Sequence, residues 1–365
     1  MQYRKEYEFW PGPNGLLDKI GDEDVVMDVS RYVGTEELRF EVEFVTPAFL
    51  GGADGNAEIR TAPFKHGIRY WWRILYGARY AKSGNLKETE DKIFGSTEGK
   101  SSIEIYIPTV RGAAVVEKGG FPNGRRVAVS HSGSSLTINI LDYLAYGKFD
   151  YQKGVGNVYN VSHVKPTTKI ELFIRIKDIG HTAEIKDAIK IFLSYGGVGS
   201  RSRNGFGSLD CMTPIAYSHC IDVSPTPMDF PCLSSVSRFY RMKKYAETWE
   251  EALSEIGEIY KDARNALERP HCYERRGFVA RPIEVKGERI PDNIKKGRIP
   301  KPFYLGVMKT DNGFVGYILC FPIVFYEKNE QRDYMKVVKD MCQSFETKLK
   351  NDTQGFMNRI TGAAK

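Results

Sequence analysis

Residues 196–207 read Gly-Gly-Val-Gly-Ser-Arg-Ser-Arg-Asn-Gly-Phe-Gly, with five glycines among twelve positions. Glycine is favoured where the backbone takes a positive φ or lies against another molecule, because a Cβ would clash there. The N–H groups that such a loop exposes can form a concave anion site, and neighbouring guanidinium groups bind phosphate oxygens through paired hydrogen bonds. The stretch therefore predicts a loop that contacts a phosphodiester. The predicted contact residues are Gly199, Ser200, Arg201, Ser202, Arg203 and Asn204.

The first glycines of this stretch have a simpler explanation. Gly196 and Gly197 alone are typical of a helix C-cap followed by a turn into a strand. That arrangement does not explain Arg-Ser-Arg-Asn between further glycines, so the whole stretch favours phosphate contact. It is not a nucleotide-triphosphate loop, because the Gly-Lys-Ser/Thr ending is absent.

Strand and helix patterns alternate on either side of the loop. Alternating apolar residues predict strands near Leu38–Phe44, Ile103–Ile107, Ile170–Ile176 and Phe206–Met212. Helical spacing predicts one helix from about Pro63 and another from about Thr182. The order is strand, helix, strand, insertion, strand, helix, strand, which predicts a ferredoxin-like domain with an antiparallel sheet. The open face of such a sheet often binds single-stranded RNA.

A second domain is predicted after Ser224-Pro225-Thr226-Pro227, a break typical of a domain boundary. Beyond it a helix, two strands joined by a hairpin at Asp311-Asn312-Gly313, and another helix repeat the plan in part. The predicted fold is therefore α+β, with two tandem ferredoxin-like (RRM-like) domains. Residues 1–222 form the first, with an N-terminal extension and an insertion at about 111–165, and residues 223–365 form the second, partial one. The basic linker 295–301 could extend a groove between them or be a solvated loop.

The predicted helix after Pro63 has one apolar and one basic side. Phe64, Ile68 and Trp71 share the apolar side. Residues 56–82 carry six lysines or arginines and one glutamate, a local charge of +5. Because a helix N-terminus also favours anions, this basic side predicts polyanion binding, with a solvated outer face as the alternative. The predicted contact residues here are Arg60, Lys65, His66, Arg69 and Arg73.

Composition narrows the class of protein. The net charge of +7 over 365 residues favours polyanionic partners only weakly. The six cysteines lie far apart without a Cys-x-x-Cys pair, which predicts reduced thiols in a cytoplasm. His219-Cys220 and His271-Cys272 match no common zinc spacing, so we expect no metal and no cofactor. No apolar run has the length of a signal peptide or a membrane span, so a soluble intracellular protein is expected.

Four segments together resemble the RAMP superfamily of CRISPR proteins. They are Thr46–Asp54 (TPAFLGGAD), Arg60–Arg73 (RTAPFKHGIRYWWR), Ile93–Ser96 (IFGS) and the loop at 196–207. Within the superfamily they are most similar to the first-numbered Cmr subunits of type III-B effector complexes. The similarity spans Thr46–Gly207, and the rest of the chain agrees in layout. The family usually has Pro-Ser/Phe-Lys-Gly at the start of this helix, whereas here His66 intervenes between Lys65 and Gly67.

The resemblance implies a pair of ferredoxin-like domains in a non-catalytic, RNA-binding subunit of a cytoplasmic antiviral ribonucleoprotein. Such a subunit would lie near the 3′ end of the guide RNA, with guide RNA, target RNA and other Cmr subunits as partners. Target cleavage is implied to lie with other subunits. The insertion at 111–165 would correspond to a thumb-like projection.

Two other classes of function stay open. Relatives in the superfamily include metal-independent endoribonucleases, for which His66 beside Arg69 and Arg73 is the best general acid or base. The third class is an interaction scaffold whose glycines serve only backbone turns. Binding predicts that the loop and the basic helix meet in one cleft. It also predicts that His66→Ala leaves RNA affinity near normal, whereas Arg201→Ala with Arg203→Ala lowers it.

Overall fold

The computed structural model describes residues 35–362 apart from a set of short gaps. These gaps are 53–55, 113–114, 117–121, 132–133, 178, 214–220, 270–271, 280, 282, 284–289, 291, 293, 295–297 and 326–327. The predicted N-terminal extension, His219, Cys220 and His271 lie outside the described residues. Among the described residues, no three His, Cys, Asp or Glu side chains are grouped so that they could hold a metal ion.

The described residues form helices and strands, among them two runs of four successive strands. The strands are β1 (Glu36–Phe44), β2 (Ile103–Arg111), β3 (Val115–Val116), β4 (Arg126–His131), β5 (Ser134–Asn139), β6 (Phe149–Gln152), β7 (Gly156–Tyr159), β8 (His163–Val164), β9 (Lys169–Ile176), β10 (Leu209–Cys211), β11 (Arg238–Arg241), β12 (Phe303–Thr310), β13 (Gly313–Cys320) and β14 (Lys350–Asn351). The helices are α1 (Thr61–Lys82), α2 (Leu86–Phe94), α3 (Ile140–Leu144), α4 (Thr182–Tyr195), α5 (Trp249–Asn265), α6 (Glu274–Gly277), α7 (Lys328–Lys348) and α8 (Thr353–Thr361). None of these helices is both long and apolar enough to cross a membrane.

The first sheet has the order β10-β1-β9-β2, and every neighbouring pair is antiparallel. Phe40 pairs with Leu172 and Val42 with Ile170, so apolar side chains of adjacent strands share one face. That face packs on α1 and α4, which also contact each other. The apolar residues that alternate in the sequence therefore point to the buried face of this sheet, and the polar ones point to its outer face. The predicted antiparallel pairing is confirmed.

The second sheet has the order β12-β13-β11-β14 and is also antiparallel. Helices α5 and α7 pack on one of its faces. The two sheets have the same strand order. If the strands of each sheet are numbered from 1 to 4 along the chain, both sheets have the order 4-1-3-2, with the second sheet read from β14. The second sheet thus has all four strands, although its fourth strand, β14, has only two residues.

The other face of the second sheet packs against the first half of the chain. The ring of Tyr304 lies 5.9 Å from that of Trp71, and the ring of Phe239 lies 5.8 Å from that of Tyr195. The Tyr317 hydroxyl donates a hydrogen bond to the Tyr195 carbonyl at 2.9 Å. This face is therefore covered by protein and is not an open platform for RNA. The division at residue 222 stays a prediction.

The outer face of the first sheet carries paired charges. The Arg39 and Arg111 guanidiniums each lie 3.0 Å from the Glu171 carboxylate. Lys309, which comes from β12, lies 2.7 Å from the buried carboxylate of Glu43. Because cations and carboxylates alternate here, their fields largely cancel, and the electrostatics do not favour a polyanion on this face.

The insertion at about 111–165 folds onto the second half of the chain. The sequence alternates through Ile140, but strand β5 ends at Asn139, whose Oδ1 accepts a hydrogen bond from the Leu141 amide at 3.0 Å. This side-chain cap starts α3, which packs on α5 near Gly257. The β6–β7 hairpin follows α3 directly.

Candidate nucleic-acid interface

Close backbone packing explains the glycines of the loop between α4 and β10. Gly196 caps α4, its amide donating to the Phe192 carbonyl at 2.8 Å, as the C-cap explanation predicts. Gly199 has φ 84°, and a Cβ there would lie 2.5 Å from the Phe49 carbonyl oxygen. Gly207 has φ 69°, and a Cβ there would lie 2.0 Å from the Val198 carbonyl oxygen. At these positions glycine serves contacts within the chain, so Gly199 in particular has a structural role that the phosphate hypothesis did not include.

The end of the loop is tied to two distant elements. Asn204 Nδ2 donates to the Leu144 carbonyl at 2.8 Å, and Asn204 Oδ1 accepts from Lys301 Nζ at 2.7 Å. The Arg203 carbonyl accepts from the Leu305 amide of β12 at 3.1 Å. Both the Nδ2 and the Oδ1 atom of the Asn204 side chain thus form hydrogen bonds within the protein. Asn204 therefore holds the loop in place, and its assignment as an RNA contact stays a prediction.

The loop meets the basic helix at an aromatic side chain. The guanidinium of Arg203 lies over the ring of Tyr70 of α1, 5.0 Å from its centroid. A planar guanidinium stacked in this way keeps its edge N–H groups available for an anion. The loop and the basic helix therefore meet at this contact, whereas a shared cleft for RNA stays a prediction.

Four cations gather at the loop, and we call them the loop cation cluster: Lys148, Arg201, Arg203 and Lys301. Arg201 is exposed, whereas the other three are half-buried. Burial and the nearby charge of Arg201 lower the pKa of Lys148. Burial, followed by Arg264, Arg203 and Arg201, lowers the pKa of Lys301 well below its usual range.

The positive charges of the cluster are not balanced by acids within the described part of the chain. Lys301 Nζ donates to the Arg203 carbonyl at 3.2 Å and lies 4.3 Å from the centroid of the Tyr260 ring. Lys148 lies over the Phe49 ring at 5.8 Å. None of the four forms an ion pair with a described Asp or Glu. Like charges held together without a counter-charge favour an external anion.

The basic side of α1 is less charged than the sequence suggests. The carboxylate of Glu90 in α2 is 4% exposed and accepts from Arg69 Nε at 2.5 Å and from Arg73 Nε at 3.1 Å. Arg79 pairs with Glu184 at 3.2 Å and with Asp222 at 2.7 Å. Three of the six cations are therefore paired with acids outside the stretch 56–82, Arg69 and Arg73 with one shared carboxylate and Arg79 with two. Arg69 and Arg73 both pair with the Glu90 carboxylate and are 40% and 41% exposed, and their assignment as phosphate contacts stays a prediction.

The start of α1 keeps its exposed charges. Arg60 is exposed at the N-cap position, and Lys65 is half-buried with its pKa lowered by burial and then by Arg69. His66 is exposed, and it has no hydrogen bond or ion pair with a described residue. A general base needs a substrate proton within reach and usually an orienting partner, and the described residues supply no such partner.

A buried histidine next to the loop makes stability depend on pH. His163 is 5% exposed, its ring lies 4.3 Å from that of Tyr159 and 6.1 Å from that of Phe49, and its Nδ1 has no hydrogen-bond partner among the described residues. Burial lowers the pKa of His163 from 6.5 to about 4. Between these two values the unfolded chain takes up a proton that the folded chain refuses, so the free energy of unfolding falls as the pH drops.

We expect His163→Phe to flatten this pH dependence, because phenylalanine fits the aromatic surroundings and does not titrate. Urea denaturation of the wild type and the variant at about pH 7 and about pH 4.5 measures the effect. If the wild type and the variant lose the same free energy of unfolding between the two pH values, titratable groups other than His163 cause the pH dependence.

Part of the chain is similar to known proteins. Residues 41–210 match the RAMP superfamily. The RAMP resemblance is confirmed for this region. The Cmr subunit Cmr1-2 of Pyrococcus furiosus is 29% identical over 192 residues, which are 47% of this chain and 94% of the relative. The Cmr subunit Cmr1-1 of the same organism is 25% identical over 173 residues, which are 47% of this chain and 46% of the relative.

Two solved structures are also similar to this chain. The apo crystal structure of Cmr1 from Pyrococcus furiosus has 18% identity and a TM-score of 0.48, with 80% of this chain and 89% of that chain covered. A chain in the cryo-EM structure of the type III-B Cmr-beta complex bound to cognate target RNA has 13% identity and a TM-score of 0.49, with 85% of this chain and 100% of that chain covered.

The RAMP region contains α1 and the whole loop, but it does not contain the whole site. Lys301 and Leu305, which hold the loop from the far side, lie beyond residue 210. Lys148 and Lys301 were not among the contact residues predicted from the sequence. For Lys301 the basic linker 295–301 was the available signal, whereas Lys148 had none, because an isolated lysine in an insertion looks like any solvated lysine.

Proposed function

We propose that this chain is an RNA-binding, non-catalytic subunit of a type III-B CRISPR (Cmr) effector complex. Its partners would be other Cmr subunits together with guide RNA and target RNA, which it would contact near the 3′ end of the guide. Two relatives named as Cmr subunits and the match to the RAMP superfamily support this proposal. So does similarity to a chain of a complex bound to cognate target RNA.

The loop cation cluster is the observation that carries the proposal. Its exposed member, Arg201, lies in front of the half-buried Lys148, Arg203 and Lys301, with no described carboxylate paired to any of them. A sugar-phosphate strand would supply the missing negative charge, and guanidiniums bind phosphate through two parallel hydrogen bonds. Exposed Arg60 and half-buried Lys65 at the start of α1 would extend the contact along the strand.

The site would lie where two ferredoxin-like domains meet, residues 1–222 and 223–365. The identical order of strands in the two sheets supports this view of the fold, because that order is the one a β-α-β-β-α-β unit produces. In this view Tyr70 and Arg201 come from the first domain, whereas Lys301 comes from the second. RNA binding would then depend on both domains at once.

Titration of a fluorescent single-stranded RNA with the full chain at several salt concentrations tests the function. Each phosphate contact contributes about −0.7 to the slope of log K against log salt for a single strand, so three contacts predict a slope of about −2. A scaffold without a phosphate site would bind weakly at every salt concentration. The RNA is then recovered and sized, in the absence of divalent metal, to detect cleavage.

We expect the His66→Ala variant to bind this RNA with near-normal affinity, because no lysine or arginine is removed. We also expect intact RNA from both the wild type and the variant after long incubation. Cleavage by the wild type that disappears in the variant would overturn the non-catalytic assignment and establish a metal-independent endoribonuclease.

A further inference from the structure

The turn after α3 and the β6–β7 hairpin display apolar side chains to solvent. Tyr146 is 72% exposed, Tyr151 is 74% exposed and Val155 at the hairpin tip is 71% exposed. The other exposed large apolar residues in the described part of the chain reach at most 51%, at Tyr245. Aromatic rings exposed to this degree on a soluble domain indicate a contact surface.

This surface borders the loop cation cluster. A Cβ added to Gly147 would lie 3.3 Å from Arg201 Nη2, so the turn that carries Tyr146 touches the exposed arginine of the loop. The carbonyl of Leu144, two residues before Tyr146, accepts the hydrogen bond from Asn204. Lys148, two residues after it, belongs to the cluster itself.

The turn and the hairpin are held in place by their own hydrogen bonds. The Lys148 amide donates to the Ala145 carbonyl at 2.9 Å, and the Asn160 amide donates to the Lys148 carbonyl at 3.2 Å. Phe149 packs against the core of the second half of the chain. The backbone that carries both tyrosines is therefore fixed before any partner arrives, which reduces the entropy lost on binding.

We propose that Tyr146 and Tyr151 form a stacking platform for unpaired bases of an RNA strand whose phosphates contact Arg201 and Lys148. The inference rests on the proposed function and adds to it a preference for single-stranded over duplex RNA. Tyrosine rings stack on any base, so the platform tolerates different sequences. In a duplex the base faces are already stacked and cannot reach the rings.

The spacing of charge and ring favours RNA over a protein partner. Tyr146 and Tyr151 are five residues apart, which places them at most about 18 Å from each other along an extended chain. Lys148 lies between them, and Lys153 follows Tyr151 in the exposed hairpin turn. The segment also contains the exposed acid Asp150, whose Oδ1 accepts a hydrogen bond from Asn160 Nδ2 at 3.2 Å. Two cations among exposed aromatic rings, beside a cluster without an ion pair to a described acid, match a strand that alternates phosphates with apolar base faces.

The test compares a single-stranded RNA with a duplex of the same length by fluorescence anisotropy, using the full chain. We expect Tyr146→Ala with Tyr151→Ala to lower single-strand affinity by about tenfold or more, with little change in the salt slope, because no charge is removed. Duplex affinity should not change. The matched pair Tyr146→Phe with Tyr151→Phe keeps both rings and should bind like the wild type. Tyr245→Ala removes an exposed tyrosine near Glu250 and Glu251 and should have no effect.

Each other outcome has a distinct meaning. If the wild type binds RNA but the alanine pair binds it equally well, the platform is refuted and the proposed function stands. If the alanine pair binds RNA normally but no longer assembles with other Cmr subunits, the surface docks protein and the inference is wrong. If the wild type binds no RNA, the proposed function itself fails. Thermal unfolding of the alanine pair shows whether any loss of binding reflects misfolding.

Discussion

The Arg201→Ala, Arg203→Ala double variant is expected to bind single-stranded RNA about 100-fold more weakly than the wild type at about 0.1 M salt. Each guanidinium is expected to supply a charge-assisted contact of about 1.5 kcal/mol to a phosphate. Arg201 is the exposed member of the cluster, and Arg203 is oriented by the ring of Tyr70. Removing both arginines also removes like charges that lower the pKa values of Lys148 and Lys301. The positive charge of these lysines therefore partly offsets the loss of affinity.

The salt dependence distinguishes phosphate contact from a general effect of charge. Loss of two phosphate contacts should make the slope of log K against log salt less steep by about 1.4. Arg39→Ala with Arg111→Ala is the matched control, because it removes the same number of charges from arginines paired with Glu171. Equal losses of affinity in the two double variants would mean that net charge, and not the loop, binds RNA. Thermal unfolding checks that loss of the Tyr70 contact does not unfold the chain.

Gly207→Ala is expected to lower the free energy of unfolding by about 3 kcal/mol. Its φ of 69° strains any residue with a Cβ, and the Cβ would lie 2.0 Å from the Val198 carbonyl oxygen. That oxygen belongs to the backbone, so it cannot rotate away from the clash as a side-chain atom could. The Val198 amide also donates a hydrogen bond to the Gly207 carbonyl at 2.9 Å, which holds the two residues together. The loop must therefore shift as a whole.

Urea denaturation measures this loss, and Gly99→Ala is the matched control. Gly99 has no atom within 4 Å of an added Cβ and no left-handed φ, so its substitution should stay within about 0.5 kcal/mol of the wild type. A Gly207→Ala variant as stable as the Gly99→Ala variant would mean that the loop is not packed as described.

The regular elements could be predicted from the sequence because their information is local. Alternation along Glu36–Phe44 and Lys169–Ile176 predicts strands with one buried face, and the structure has them paired in register. Helix α1 begins two residues before the predicted start at Pro63. The position of the Gly-Arg loop, between a helix and a strand, was also predicted from the sequence.

The partners of the charges could not be predicted from the sequence. Arg69 and Arg73 look like free cations on a helix face until α2 brings Glu90 beneath them. Asn204 looks like a free loop amide until Leu144 and Lys301 take its hydrogen bonds. In each case the partner group lies far away in the sequence. The pattern of charges along one helix or loop does not indicate which distant residue will fold against it.

By itself, the sequence determined where strands, helices and the glycine loop form, because backbone preference and side-chain periodicity act within a few residues. Only the tertiary structure decided which cations are available to an anion, because ion pairing depends on distances of a few ångströms between segments far apart in the chain. It paired Arg69 and Arg73 with Glu90 and placed Lys148 and Lys301 beside the arginines of the loop.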